Sequence, residues 1–193
     1  MFHRIKLMAA AASIFTLAGV ANAQVVTAEA DILFESTVVK ACGIGSPDTT
    51  ALNLADLTGA DGKLTAANTG STTLATATIS GAWCNAPHAV TIKASPMALQ
   101  SVPVYAQPAY MARKLTYDAT LVGWGADLTN RPLVVDNLAT RNVGSEFAPA
   151  SSQIQLNVSK LQTLTAAGVE EAGLMLEVGT YKGTVTITLT AEN

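Results

Sequence analysis

The segment "GTYKGTVTITLTAEN" at the C-terminus constrains more than any other what this chain folds into. Tyr181, Val185, Ile187, Leu189 and Ala191 fall on one face of an extended chain, and Thr184, Thr186, Thr188 and Thr190 fall on the other. Side chains of a strand alternate between faces, so this spacing predicts an antiparallel β-strand that covers a core on one side only. The same period of two opens the other end of the chain. In "AEADILFESTVV", Ala28, Ala30, Ile32, Phe34 and Val38 share one face, while Glu29, Asp31, Glu35 and Thr37 share the other.

The pattern continues between these two segments. Strands are expected over residues 28–40, 73–84, 88–94, 114–122, 152–158 and 180–191, with shorter edge strands over 51–57, 132–135 and 174–178. The connectors "GIGSPDTT", "TGADGK", "NTGS" and "GWGADLTNR" supply the Gly, Asp, Asn and Pro that tight turns need. Only "LTAAGVEEAG", residues 164–173, reads as a helical turn. Thr, Ala, Val and Leu dominate the composition, a vocabulary of strands. The expected fold is therefore all-β, a single two-sheet antiparallel sandwich. No internal repeat or low-complexity linker divides it.

The first residues, "MFHRIKLMAAAASIFTLAGVANA", carry Arg4 and Lys6, an apolar run from Leu7 to Val20, and the triplet Ala21-Asn22-Ala23. That order predicts a secretory signal peptide over residues 1–23, cut before Gln24. Its apolar run is shorter than the roughly 20 residues that a bilayer span requires. The domain is then 24–193, about 170 residues, an ordinary size for one domain. Eleven basic residues against 14 acidic ones give a net charge of −3, and the leader takes Arg4 and Lys6 with it. With no basic patch, neither nucleic acid nor an anionic membrane is an expected partner, and no membrane span is expected after the leader.

Cys42 and Cys84 are the two cysteines, and in an oxidising compartment an even pair is most simply one disulfide. A metal role fails for want of partners, because the spacing is far from C-x-x-C and only His88 lies beyond the leader. His88 follows Pro87 and is expected at a surface or sheet edge. No activated nucleophile, paired-carboxylate cleft or phosphate-binding loop is legible, so neither an enzyme nor a cofactor is expected. Trp83 precedes Cys84 and is expected in the core against the bridge. Trp124, between two glycines, is the candidate ligand contact for a carbohydrate, and the loop bearing Tyr110 is a further one.

Four blocks carry a resemblance. "ADILFESTVVKACGI", residues 30–44, is similar to the opening of mature chaperone-usher pilins, where an alternating strand runs into the first disulfide cysteine. "ATISGAWCNAPHAVTIKA", residues 77–94, resembles their second cysteine segment. "KLTYDATLVGWGADL" and "VGTYKGTVTITL" resemble the spore coat protein U-like branch, which includes subunits of archaic pili. The chain departs from the pattern at Ser36, where pilins usually have glycine, and in its Glu192-Asn193 ending, which lacks a near-terminal aromatic.

The resemblance implies an immunoglobulin-like, pilin-type β-sandwich that is incomplete and is completed by a donor strand. It implies a structural subunit of a fimbria or related surface coat, exported through the periplasm to the cell surface, supporting adhesion or biofilm formation. The implied partners are identical or related pilus subunits, a periplasmic chaperone, an outer-membrane usher, and a host or abiotic surface. Ala28, Ala30, Ile32, Phe34 and Val38 would form the donor strand, and Val185, Ile187 and Leu189 the edge of the acceptor groove. The alternative is a secreted β-sandwich that binds carbohydrate without polymerising.

Overall fold

The expected segments at 73–84, 88–94, 114–122, 152–158 and 180–191 contain strands in the computed structural model, which describes residues 35–54, 56–125, 127–133, 137–143 and 153–192. In chain order the elements are β1 (Cys42–Gly43), α1 (Ala66–Thr69), β2 (Ala75–Ser80), β3 (Trp83–Cys84), β4 (His88–Ala94), β5 (Met97–Leu99) and β6 (Met111–Ala112). They continue as β7 (Lys114–Val122), β8 (Leu128–Asn130), β9 (Asn137–Val143), β10 (Gln153–Leu164), β11 (Met175–Leu176), β12 (Tyr181–Lys182) and β13 (Val185–Ala191). The expected leader, Ala28, Ala30, Ile32 and Phe34 lie outside the described residues. The described part of the expected first strand, residues 35–40, is irregular and exposed.

The larger sheet runs β12-β5-β7-β10-β2, with β8 also pairing β7, and the smaller runs β13-β4-β9. Every pairing within these two sheets is antiparallel. Asn130 ties the sheets together at β8, its side-chain amide donating to the carbonyls of Ile92 and Asn137. Two apolar clusters fill the space between them. One gathers Ile79, Cys84, Val90, Ile92, Leu121, Trp124 and Ile154, and the other gathers Ala77, Tyr117, Leu156, Val158 and Leu161. The architecture is all-β and consistent with a sandwich. Among the described residues no helix is long and apolar enough to cross a membrane.

Two expected strands are each broken by a turn. Residues 73–84 divide at Gly81, whose φ of 71° lies in the left-handed region, and β3 leaves the larger sheet to pair with β1. Residues 180–191 divide between Lys182 and Val185, so Tyr181 pairs Leu99 in the larger sheet while Val185 pairs Ala94 in the smaller. The expected helical turn at 164–173 is absent. Gly168 and Gly173 adopt φ of 80° and 83° there, and Leu164 bridges Glu170 to close a tight reversal. The only helix among the described residues is α1, capped by Thr65, whose hydroxyl accepts from the Asn68 amide.

Strand β10 carries the one irregularity within the long strands. The β10–β7 register shifts between Ser159 and Gln162, and Lys160 has φ of 49°. The bulge turns Lys160 toward Asp118, with Nζ 3.1 Å from Oδ2. Arg131 reaches the other Asp118 oxygen at 2.8 Å and Glu170 at 2.6 Å. Burial would raise the Asp118 pKa, but hydrogen bonds from Arg131 and Lys160 prevail and hold it below the ordinary aspartate value.

Candidate functional site

Strand β13 runs beside β4 with Val185 opposite Ala94, Ile187 opposite Ile92 and Leu189 opposite Val90. Directly paired residues in a sheet point to the same face, so these six side chains all face the core. On β4 they are fully enclosed: Val90 and Ile92 are 0% exposed. On β13 they are only partly covered, although they pack against the buried clusters. The difference lies at the side. Strand β4 is flanked by β13 and β9, whereas among the described residues no strand pairs with the outer edge of β13.

An edge strand with an uncovered apolar face offers two things to another chain. Its outward backbone N–H and C=O groups form a hydrogen-bonding template, and its apolar side chains stay partly open. The residues expected at the acceptor edge, Val185, Ile187 and Leu189, therefore share one face and one strand.

The two ends of β13 differ. At the Ala191 end, the Glu192 amide donates to the Pro87 carbonyl at 2.8 Å, and Lys40 Nζ donates to the Glu192 carbonyl at 3.1 Å. The Cys42–Cys84 disulfide closes this end by joining β1 to β3. At the Val185 end, the Tyr117 hydroxyl donates to the Ser95 carbonyl at 2.8 Å and lies 3.4 Å from that of Thr184. Burial pushes the Tyr117 pKa up to about 12. Beyond it opens a cleft of about 670 Å³, whose lining includes Leu52, Leu54, Leu57, Met97, Leu176 and Tyr181.

A buried ion pair stands beside that cleft. Arg113 Nε lies 2.5 Å from Glu177 Oε2, and both side chains are almost wholly enclosed. The Tyr105 hydroxyl donates to the other Glu177 oxygen, and the Arg113 guanidinium lies 4.9 Å over the Tyr105 ring. Hydrogen bonds from Arg113 first, then Tyr105, hold the Glu177 carboxyl below its ordinary range. The same bond to Glu177 raises the Tyr105 pKa. Nothing in the sequence marks this cluster, because its members are scattered through three connectors and meet only in the fold.

The aromatic residues reverse their expected roles. Trp124 is 2% exposed, so it is a core residue and not an exposed ligand contact. Gly123 and Gly125 adopt left-handed φ of 89° and 68°, and that tight reversal accompanies an indole turned inward. Trp124 Nε1 donates to His88 Nε2 at 2.7 Å, and the rings meet edge to face with centroids 5.3 Å apart. His88 is correspondingly buried and not at the surface. Its Nδ1 lies 3.0 Å from the Ala86 carbonyl, which assigns the hydrogen to Nδ1 and leaves Nε2 as the acceptor.

Trp83 is 45% exposed instead of packed in the core. Neighbouring strand residues face opposite ways, so a buried Cys84 turns Trp83 outward, where it covers Gly43. Tyr110 is exposed, as is Val38. Cys42, Cys84 and His88 bring their potential ligand atoms within 4.8 Å of one another, but the two sulfurs are bonded to each other. No protein-family model matches the chain, and no curated protein and no solved structure matches it either.

Proposed function

We propose that this chain is a structural subunit of an extracellular fimbria or related surface coat, polymerising by donor-strand exchange in support of adhesion or biofilm formation. In this reading the domain is a pilin-type, immunoglobulin-like sandwich short of one strand. The donor strand of one copy, within residues 24–38 and with Ala28, Ala30, Ile32, Phe34 and Val38 inward, lies along β13 of the next. A periplasmic chaperone occupies the groove before assembly, and an outer-membrane usher is the assembly platform. The single observation that carries the reading is the contrast within one register: Ile92 is wholly buried, while its partner Ile187 is half-open beside an edge that no described strand pairs.

Physically, the added strand satisfies the outward backbone groups and covers Val185, Ile187 and Leu189. Covering Ile32 and Phe34 in return contributes roughly 1.5 to 3 kcal/mol each. Repeating this heterologous contact head to tail gives an open filament. The carbohydrate-binding alternative is less well supported, because Trp124 is enclosed and hydrogen-bonded inside the core. Deleting residues 24–35 tests the proposal. The truncated chain is expected to be exported but to form no fibres, and fibres from it would overturn donor-strand exchange.

A further inference from the structure

The bonded sulfurs of Cys42 and Cys84 share their corner of the fold with a third metal-ligating side chain. Both sulfurs and a ring nitrogen of His88 lie within 4.8 Å of one another. Sequence spacing hides this group, because the two cysteines are 42 residues apart.

More than the S–S bond holds the group together. Cys42 and Cys84 stand opposite each other in the β1–β3 register. The Asn85 side chain accepts from the Ala41 amide at 2.6 Å and donates to the Val39 carbonyl at 2.9 Å, and the Asn85 backbone amide donates to the Ala41 carbonyl at 3.0 Å. His88 opens β4, paired with Ala191 on one side and Val143 on the other. These backbone contacts keep both cysteines beside the imidazole when the S–S bond is cut.

His88 is also oriented as a ligand. It is fully enclosed, and its Nδ1–H donates to the Ala86 carbonyl at 3.0 Å. Metal-bound histidines carry just such a partner on the other ring nitrogen, because it fixes the tautomer and presents the remaining lone pair. That lone pair, on Nε2, accepts from Trp124 Nε1 while the disulfide is intact. Cys42 is only partly buried, which gives a reductant and an ion a way in.

We propose that reduction of the Cys42–Cys84 disulfide opens a zinc site, in which the two thiolates and His88 Nε2 hold one zinc ion with water as the fourth ligand. A dithiol reductant attacks one sulfur and leaves as its own cyclic disulfide, delivering two electrons and two protons to give two thiols. Zinc binding then releases both thiol protons to solvent. Two sulfurs and one imidazole suit this borderline-soft ion, whose tetrahedral bonds set such donors roughly 3.5 to 3.8 Å apart. The sulfurs part within the span already present, and the Trp124 indole yields Nε2 to the metal at the cost of one buried hydrogen bond. Oxidation and zinc therefore exclude each other, since sulfurs bonded to one another are not thiolates.

The test uses the full chain, reduced with a phosphine, freed of reductant without air, and titrated with zinc chloride or with cobalt(II) as a spectroscopic substitute. One metal ion per chain is expected, with thiolate-to-cobalt charge-transfer absorption and the visible bands of a tetrahedral site. The oxidised chain should take up none. His88→Ala should weaken zinc binding about tenfold or more. Zinc should also raise the urea unfolding midpoint of the reduced chain and leave that of the oxidised chain unchanged. Equal zinc affinity in the reduced wild-type and His88→Ala chains would overturn the site, because two thiols of an unfolded chain bind that way. A reduced chain that binds no zinc, one that stays unfolded with zinc bound, or equal uptake by the oxidised chain would overturn it as well.

Discussion

Strands β4 and β13 are partners in the same sheet, matched residue for residue from His88–Ala191 to Ala94–Val185, and both alternate apolar with polar side chains. They nevertheless differ in burial. Val90 and Ile92 are sealed, whereas Leu189 and Ile187 opposite them are not. Both strands turn apolar side chains to the same face, but among the described residues β4 has a paired strand on each side and β13 has one only on its β4 side. Alternation decides which face of a strand is apolar, and lateral pairing decides whether that face is closed.

The largest effect that sharpens this comparison comes from the disulfide that closes the Ala191 end. Cys42 and Cys84 are 42 residues apart in sequence. Replacing both by alanine is expected to cost about 4 kcal/mol in the chain-entropy account, read by urea unfolding. Next comes the register pair itself. Ile92→Ala should cost about 2 to 5 kcal/mol in the free subunit, as fully buried isoleucines do. Ile187→Ala should cost about 1 kcal/mol there and approach the Ile92 value once a peptide of residues 24–36 is bound. Equal costs without the peptide would break the comparison.

Tyr117 gives a smaller effect, because it anchors the residue before β13 through its hydroxyl. Tyr117→Phe should cost about 1 kcal/mol at neutral pH. Its pKa, about 12 in the fold, is raised above the ordinary value of 10.0. The associated stability is therefore complete below pH 10 and is lost as pH rises toward 12, a loss that the phenylalanine variant should lack. Asp118 gives the smallest effect and the opposite sign. Its pKa is lowered from 3.8, so its contribution is present above that pH and is lost as pH falls through the folded value. Asp118→Asn should flatten this acid limb in a pH series of unfolding midpoints, and it should leave the β13 edge unchanged.

Strands β4 and β7 were legible to the residue, because uninterrupted alternation fixes both existence and length. Strand β9 was missed. Its sequence, "NLATRNV", holds few β-branched residues, and it is a strand because β4 pairs with it in full register. Gly81 and Gly183 were visible, but that the chain would change sheets beside them depends on which strands are neighbours. Trp124 illustrates the limit at the site. Two flanking glycines predict a tight turn correctly, yet the direction of the indole follows from His88, which lies 36 residues away. The Arg113–Glu177 pair was illegible for the same reason, its members being 64 residues apart in sequence.

The central claim is that the outer edge of β13 accepts a strand from another copy. Hydrogen exchange of the backbone amides of Val185–Ala191, with and without added peptide of residues 24–36, tests it directly. The amides that point away from β4 should exchange rapidly in the isolated subunit and become protected when the peptide binds, while those facing β4 stay slow throughout. Outward amides that exchange at the same rate with and without bound peptide would contradict the claim.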